Sequence, residues 1–464
     1  MPNGDPTPTS ESEPRSLDGG PPRQAASRGW RQTFSSLSGN RDFVNLFIGN
    51  IGFFFGMNMM IILRGWLVED KWHNAAYLGF LMAAVAVPML LLSPIAGVVT
   101  DRMDRRKLLL VAQTSLVVMN TVVGVLIITD TIEFWHLLIA SSLTGASFAF
   151  NMPARQALVA TLVPREKLMN AMALSTATMN ISRILGPALA GLLVPLIGIG
   201  GAYFITTGFY VGAVAVTAAL PPMPPNRERE FTFFEDFVGG FSYIKRSSVL
   251  VALILFATVP MILAMPYMIL MPVFANRVWD VGSSGFGVMQ AATGVGGLIG
   301  ALIIANLDAY PKKARLLLGG AIGFGAFLVL FALSPSFYLA LFFLGCVGFG
   351  SMVFMTVNNT AIQLVIPEEM RGRVMSVMMM TFGLMPLGAV PAGVAAEAYG
   401  VRGVVVVGGL LSVVAVVILF NAMSAFRTLD RDLEAGREQA EAGDRVGGGA
   451  RMGAPPGMSG VQAG

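Results

Sequence analysis

The chain has 464 residues, 55% of them hydrophobic and only 12% charged, with a formal net charge of +4. A soluble chain carries about a quarter charged residues, so most of this one is expected to lie in lipid, where its 53 glycines suit close helix packing. One cysteine and two histidines in separate loops exclude a disulfide framework and leave no metal or cofactor site to expect, and the cations sit between apolar runs, which points to membrane headgroups and not to nucleic acid.

Residues 1–40 are rich in Pro, Ser, Gly and Arg, hold no apolar segment, and read as a disordered cytoplasmic tail, not a signal peptide. Twelve stretches then meet the length of about 20 mostly apolar residues that a membrane span needs. They run near Phe43–Leu63, Ala76–Val99, Leu108–Thr129, Trp135–Leu158, Leu168–Ile197, Gly201–Leu220, Leu250–Phe274, Gly285–Ala305, Leu316–Leu333, Phe337–Val365, Val374–Ala396 and Gly403–Met423. One set of loops carries Arg102, Arg105, Arg106 and Lys107, then Arg165 and Lys167, Arg227 and Arg229, Lys245 and Arg246, Lys312, Lys313 and Arg315, Arg371 and Arg373. The alternate set has Arg64, Lys71, Arg277, Arg402 and little else. That asymmetry places the first set, and both tails, in the cytoplasm of a multi-pass membrane protein.

Between the sixth and seventh spans, Pro221-Pro222-Met223-Pro224-Pro225 stops a helix, and Phe234, Phe237, Phe241 and Ile244 then recur at helical spacing. This predicts an amphipathic helix on the inner membrane face. It divides the chain into a six-helix bundle over 41–220, a linker over 221–248, a second six-helix bundle over 249–426 and a tail over 427–464. The halves resemble copies. Pro164-Arg165-Glu166 parallels Pro367-Glu368-Glu369, Gly186-Pro187-Ala188-Leu189-Ala190-Gly191 parallels Gly388-Ala389-Val390-Pro391-Ala392-Gly393, and Gly198 parallels Gly400, at an offset of about two hundred residues. Paired six-span bundles are the basis of rocking transporters, with the site at their interface near mid-membrane.

The loop between the second and third spans holds Gly97-x-x-x-Asp101-Arg102-x-x-Arg105-Arg106. It resembles the loop signature of the major facilitator superfamily. Asn151-Met152-Pro153-Ala154-Arg155-Gln156-Ala157-Leu158 and Ser182-Arg183-Ile184-Leu185-Gly186-Pro187 are similar to the enterobactin-exporter-like branch of bacterial efflux proteins. The resemblance implies an all-α membrane fold of twelve transmembrane helices in two pseudo-symmetric bundles. It also implies export of siderophores, macrolides or other small lipophilic compounds, with protons as the coupling ion. In the loop it implies that Asp101 faces the start of the eleventh span and that Arg105 pairs with a nearby acid. Asp104 stands where the family often has Gly, a turn that Asp tolerates. The fourth span lacks the mid-helix arginine of many proton-driven relatives.

Several residues follow as candidates. Gly97, Asp101, Arg102, Arg105 and Arg106 form a gating loop. Arg183 reads as the one cation deep in a span, which must face a cavity or a partner, so it could hold an anionic substrate or bond neighbouring carbonyls. Asn50, Asn58, Gln290, Asn358 and Asn359 lie within spans, where amides line a path or join helices. Gly186, Pro187, Gly191, Gly388 and Gly393 read as kinks or hinges. Stretches rich in Met, such as Met261, Met265, Met268 and Met271, are adaptable walls or plain packing. No Asp or Glu falls in the middle of an expected span; Asp42, Asp101, Glu133, Glu368 and Glu397 lie at span ends, which leaves a facilitator or coupling through an end-placed acid.

The expected activity is a secondary transporter, working as a monomer on a small-molecule substrate in membrane lipid. Two alternatives stand beside it. Asp101 and Asp104 could share a metal and a diphosphate in a prenyl-transfer enzyme, although the second acidic cluster such a site needs is missing. A non-transporting membrane scaffold is the other. No phosphate-binding loop occurs, so a nucleotide-driven pump is not expected.

Overall fold

The computed structural model describes residues 40–222, 233–307, 312–431 and 433, and every regular element among them is helical. The expected tails over 1–39 and beyond 433, and residues 223–232 of the linker, lie outside the described residues. Ten of the described helices are long and apolar enough to cross a membrane. Their outward faces carry Leu91, Val111, Ile128, Leu196, Phe342 and Ile418, all exposed. In a chain of this composition, that apolar surface is the lipid-facing one.

The first half comprises α1 (Arg41–Trp72), α2 (Ala75–Arg102), α3 (Arg105–Ile128), α4 (Phe134–Leu162) and α5 (Arg165–Ala218). Local caps set the boundaries. Asn40 accepts from the Phe43 amide at 3.0 Å and Asn74 from the Ala76 amide at 3.0 Å. Asp104 accepts from the Arg106 amide at 2.9 Å and starts α3 at a φ of −61°. It is an N-cap, and no left-handed turn is needed there. Beside the α3–α4 turn, Lys71 lies 2.7 Å from Asp130 and holds that carboxyl below the usual range.

α5 has 54 residues, about 80 Å of helix at 1.5 Å per residue, more than twice the hydrocarbon thickness. It is two helices joined at Gly198, whose φ of 75° and ψ of 167° break the spiral. The same device recurs at Gly400, with φ 86° and ψ 143°. The two positions paired from the sequence thus share one backbone conformation, and each allows it because it has no Cβ.

The second half contains α6 (Phe233–Arg246), α7 (Ser248–Leu263), α8 (Tyr267–Val273) with a π-helical turn at Phe274–Val278, α9 (Gly282–Asn306), α10 (Lys313–Leu333), α11 (Phe337–Val365), α12 (Glu368–Thr381), α13 (Met385–Tyr399) and α14 (Val401–Ala422). The expected eleventh span is not one helix here. A 3-10 turn at Phe382–Leu384 separates α12 from α13. α6 lies against α12, where a Cβ on Gly240 would come within 2.6 Å of the Arg373 carbonyl oxygen. After α14 the chain turns back under its own bundle. Phe426 packs on Phe256 at 5.1 Å, and Asp430 accepts from the Ala314 amide at 2.9 Å at the head of α10.

The halves meet along two crossings, α2 with α13 and α5 with α9. Glycine makes both possible. A Cβ on Gly79 would lie 2.7 Å from the Ala389 carbonyl oxygen, and one on Gly393 would lie 2.8 Å from that of Ala75. In the other crossing a Cβ on Gly287 would lie 2.8 Å from the Pro187 oxygen, and one on Gly191 would lie 2.6 Å from that of Ser283. The sequence pairs Gly191 with Gly393 and Pro187 with Ala389, so one crossing is the copy of the other.

Alanine at Gly198 or Gly400 must adopt a left-handed φ, which costs roughly 1–2 kcal/mol. Each variant is expected to unfold at a lower temperature in detergent. Gly97→Ala is the control, because its new methyl meets nothing within 4 Å, and its midpoint should not fall.

Candidate functional site

A cavity of about 550 Å³, counting its open mouth, lies between the halves. Asn180, Arg183 and Ile184 of α5 form one wall. Met265 of the α7–α8 turn, Thr293 and Gly297 of α9, and Ser351, Met352 and Met355 of α11 form the other. Its floor is the α5–α9 crossing. Arg183 precedes Gly191 by eight residues, about 12 Å along the helix, and the α9 lining residues likewise follow Gly287. The cavity therefore lies on the side of the crossing where the Met103–Asp104 loop is found, away from the α1–α2 turn.

The opposite end is closed by charge. Glu69, the last acid but one of α1, is fully buried. Arg277, in the π-helical turn of the other half, donates to it from Nε at 2.6 Å and from Nη2 at 3.1 Å. Asn276 adds a third bond at 3.3 Å. Arg277 also reaches Glu397 of α13 at 3.3 Å, and Glu397 accepts from the Ala75 amide at the head of α2 at 2.8 Å. The chain of contacts crosses from one half to the other twice. Burying Glu69 without Arg277 would leave a bare charge, so the latch holds only while the halves are together at this end.

Glu69 was missed because α1 was expected to end at Leu63. It runs nine residues further, to Trp72. Arg64, taken as a loop residue, is buried and donates to Thr144 of α4 at 2.7 Å. A charge satisfied by a neighbouring helix does not end a span, and the composition rule cannot see such a partner. Arg183 is likewise not the one cation within the spans. Arg155 of α4 is buried, donates to Asn151 at 3.1 Å and to Asn50, and lies 4.4 Å from the Phe53 ring centroid.

Among the other expected residues, Asn50 is thus a partner of Arg155. Asn58 is buried and donates to its own helix at Phe54. Gln290 and Asn358 are buried and Asn359 is exposed. Arg183 alone of the six candidates lines the cavity. Gly186 and Pro187 stand in unbroken helix, and their work is close approach. A Cβ on Gly186 would come within 2.9 Å of Asn58, and Gly388 meets the Ile262 carbonyl in the same way. In the gating loop Arg102 is exposed, Arg105 donates to the Thr161 hydroxyl at 2.9 Å, and Arg106 donates to the Ala218 carbonyl. Arg105 was expected to pair with an acid; its described partner is a hydroxyl. The side chain of Asp101 lies outside the described residues. Asp104 is engaged in capping α3, and no cluster of three metal-binding side chains occurs among the described residues.

Two helical halves that meet at copied crossings, around a central cavity in an apolar chain, define a membrane transporter of the major facilitator type. Residues 32–441 match the transmembrane secretion effector family, and the chain belongs to it. It is 27% identical over 373 residues to a staphyloferrin A transporter of Staphylococcus aureus, covering 77% of this chain and 88% of that one. It is 26% identical over 365 residues to macrolide efflux protein A of Streptococcus pyogenes, covering 77% and 88%. Against the enterobactin exporter EntS of Shigella flexneri the identity is 24% over 310 residues, covering 66% and 73%. The fold matches the nucleoside transporter NupG with a TM-score of 0.67 at 12% identity, over 82% of this chain and 99% of that one. A bacterial homolog of the lysosomal transporter Spinster gives 0.63 at 14%, over 86% and 98%. These relatives and neighbours are transporters, not enzymes, which sets aside the prenyl-transfer alternative.

Removing the cation of the latch should be costly. Arg277→Ala is expected to destabilise the protein by on the order of 3 kcal/mol, the low end for breaking a buried pair, because Arg277 is 32% exposed. Lys71→Ala breaks an exposed pair and should cost at most about 1 kcal/mol. Thermal unfolding of both variants in one detergent checks the difference.

Proposed function

We propose that this chain is a secondary transporter that exports small amphipathic molecules across the bacterial plasma membrane by alternating access. In this reading twelve spans form two six-helix bundles in one monomer, with both termini cytoplasmic. The observation that carries it is the position of the cavity. It lies on the Arg-rich loop side of the glycine crossings, while the Glu69–Arg277–Glu397 latch joins the halves at the other end. With the loop end cytoplasmic by its charge, this arrangement receives substrate from inside. The chemistry of the named relatives supports a siderophore-like or drug-like substrate.

The reverse arrangement needs the latch to open and the loop end to close. The space beside Gly97, where nothing stands within 4 Å of an added Cβ, is where we assign the second closure. Asp101 and Arg102 sit one to two turns beyond it. Arg105 and Arg106 brace the cytoplasmic ends of α3, α4 and α5 as one body. We assign the proton as the coupling ion, and to Glu69, the one fully buried carboxylate among the described residues, the holding of the latch through Arg277. When the halves part at the latch, Arg277 leaves with Glu397, and water takes their place around Glu69.

Holding the latch end shut should stop the cycle. In a Cys346→Ser background, Ala75→Cys and Glu397→Cys bridged by a short bifunctional thiosulfonate are expected to abolish transport, and a reductant should restore it. Continued transport in the bridged protein rules out rocking at this end. In inverted vesicles an imposed proton gradient should drive substrate accumulation, and flux unaffected by the gradient rules out proton coupling. Asp101→Asn should lower transport several-fold with normal membrane insertion.

A further inference from the structure

The cavity also carries information on the charge of its ligand. Resting on the transporter reading above, we infer that its ligand is an amphipathic organic anion, held by its carboxylate on Arg183 and by its apolar body against α11.

Arg183 is exposed, and it makes no hydrogen bond or ion pair among the described residues. A guanidinium halfway along a span is costly unless water or an anion meets it. It has five N–H donors in a planar fork suited to a carboxylate. Asn180, less than one turn away on the same helix, supplies an amide that no described group engages. Across the cavity, Thr293 donates its hydroxyl proton to the Met289 carbonyl at 3.1 Å, and Ser351 donates to that of Gly348 at 2.9 Å. Their protons are spent on their own helices. The free donors of the site are therefore all on the Arg183 side.

The rest of the wall decides the sign and the shape. None of the lining residues is acidic, so a cationic ligand would meet Arg183 with no compensating charge. Met352 and Met355 are flexible and polarisable, and they accept apolar bodies of varied outline. Charge on α5 and apolar surface on α11 place the two ends of the ligand on different halves of the protein.

The test uses three probes of one shape: 2-naphthoate, 2-naphthamide and 2-naphthylmethylammonium. Their binding is measured on the full chain in nanodiscs of neutral lipid. The naphthoate is expected to bind saturably and at least tenfold tighter than the amide, with the ammonium weakest. Arg183→Ala should weaken naphthoate at least tenfold and leave the amide unchanged. Arg183→Lys, which keeps the charge but not the planar fork, should bind naphthoate more weakly than the native protein and more tightly than Arg183→Ala, which guards against a folding defect. Equal binding of the three probes, preference for the ammonium, absence of saturable naphthoate binding, or an Arg183→Ala protein that binds naphthoate normally overturns the inference. Counterflow of whichever probe binds, in proteoliposomes, tests the transporter reading separately. Flux of the amide or the ammonium with no preference for naphthoate would sink the anion assignment and leave the transporter standing.

Discussion

The structure depends on backbone meeting backbone. Where α2 crosses α13 and α5 crosses α9, glycine on one helix faces a carbonyl on the other, with no side chain between them. In lipid, helices gain nothing from hiding apolar surface from one another, so close van der Waals approach must hold the halves together. Cα–H contacts with carbonyl oxygens add a little at such distances. A crossing of this kind is short and smooth. Bulky side chains would interlock the helices and fix them, whereas bare backbone lets one helix tilt on the other. The same feature that brings the halves together therefore leaves them free to rock in the proposed cycle.

Charge supplies what glycine cannot, a contact that is strong when made and costly when half made. Glu69 gives no return for its burial except through Arg277 and Asn276. The latch therefore favours a fully joined or fully parted end over anything between. Arg64 and Arg155 are different. Their partners, Thr144 for one and Asn50 and Asn151 for the other, lie within the same half. Both bind helices of one half to each other. The buried ions thus sort by whether their bonds cross the interface, and the Glu69 group is the one shown to cross it.

Much of this was legible in the sequence because lipid imposes length and charge rules that each segment must obey alone. The apolar runs, the Arg-rich loop and the pairing of Gly198 with Gly400 are local features, and the structure has helices, a turn and two left-handed glycines at those places. What depended on a partner was not legible. Arg64 was read as the end of a span because the hydroxyl that satisfies it lies 80 residues away in α4, and Glu69 was lost with it. The amides were candidates for the cavity wall because every face of their helices is apolar, so periodicity does not reveal rotation. Asn50 turns inward to Arg155 and Asn58 to its own backbone. The 3-10 turn at Phe382–Leu384 did carry a local signal, because it holds Gly383 and is followed by Pro386 where the unbroken α5 has Ile181 and Ile184.

The two copies are not equal, and their difference bears on direction. An offset of 202 residues links Gly186 to Gly388, Gly191 to Gly393 and Gly198 to Gly400, and it sets Met385 opposite Arg183. The cation exists in one copy only. α5 is continuous through Arg183, while α13 begins at Met385 just after the 3-10 turn. The cavity accordingly lies against α9 and α11 and draws no lining from α13. A ligand seated there touches α5 with its polar end and α11 with its apolar end, and so bridges the halves. A bridging ligand stabilises any arrangement that brings both walls closer, and only such a differential contact can shift a conformational equilibrium. With symmetric walls, a ligand could be satisfied by either half alone. With Met385 in place of a second arginine that option is absent, and occupancy is tied to the approach of the two halves.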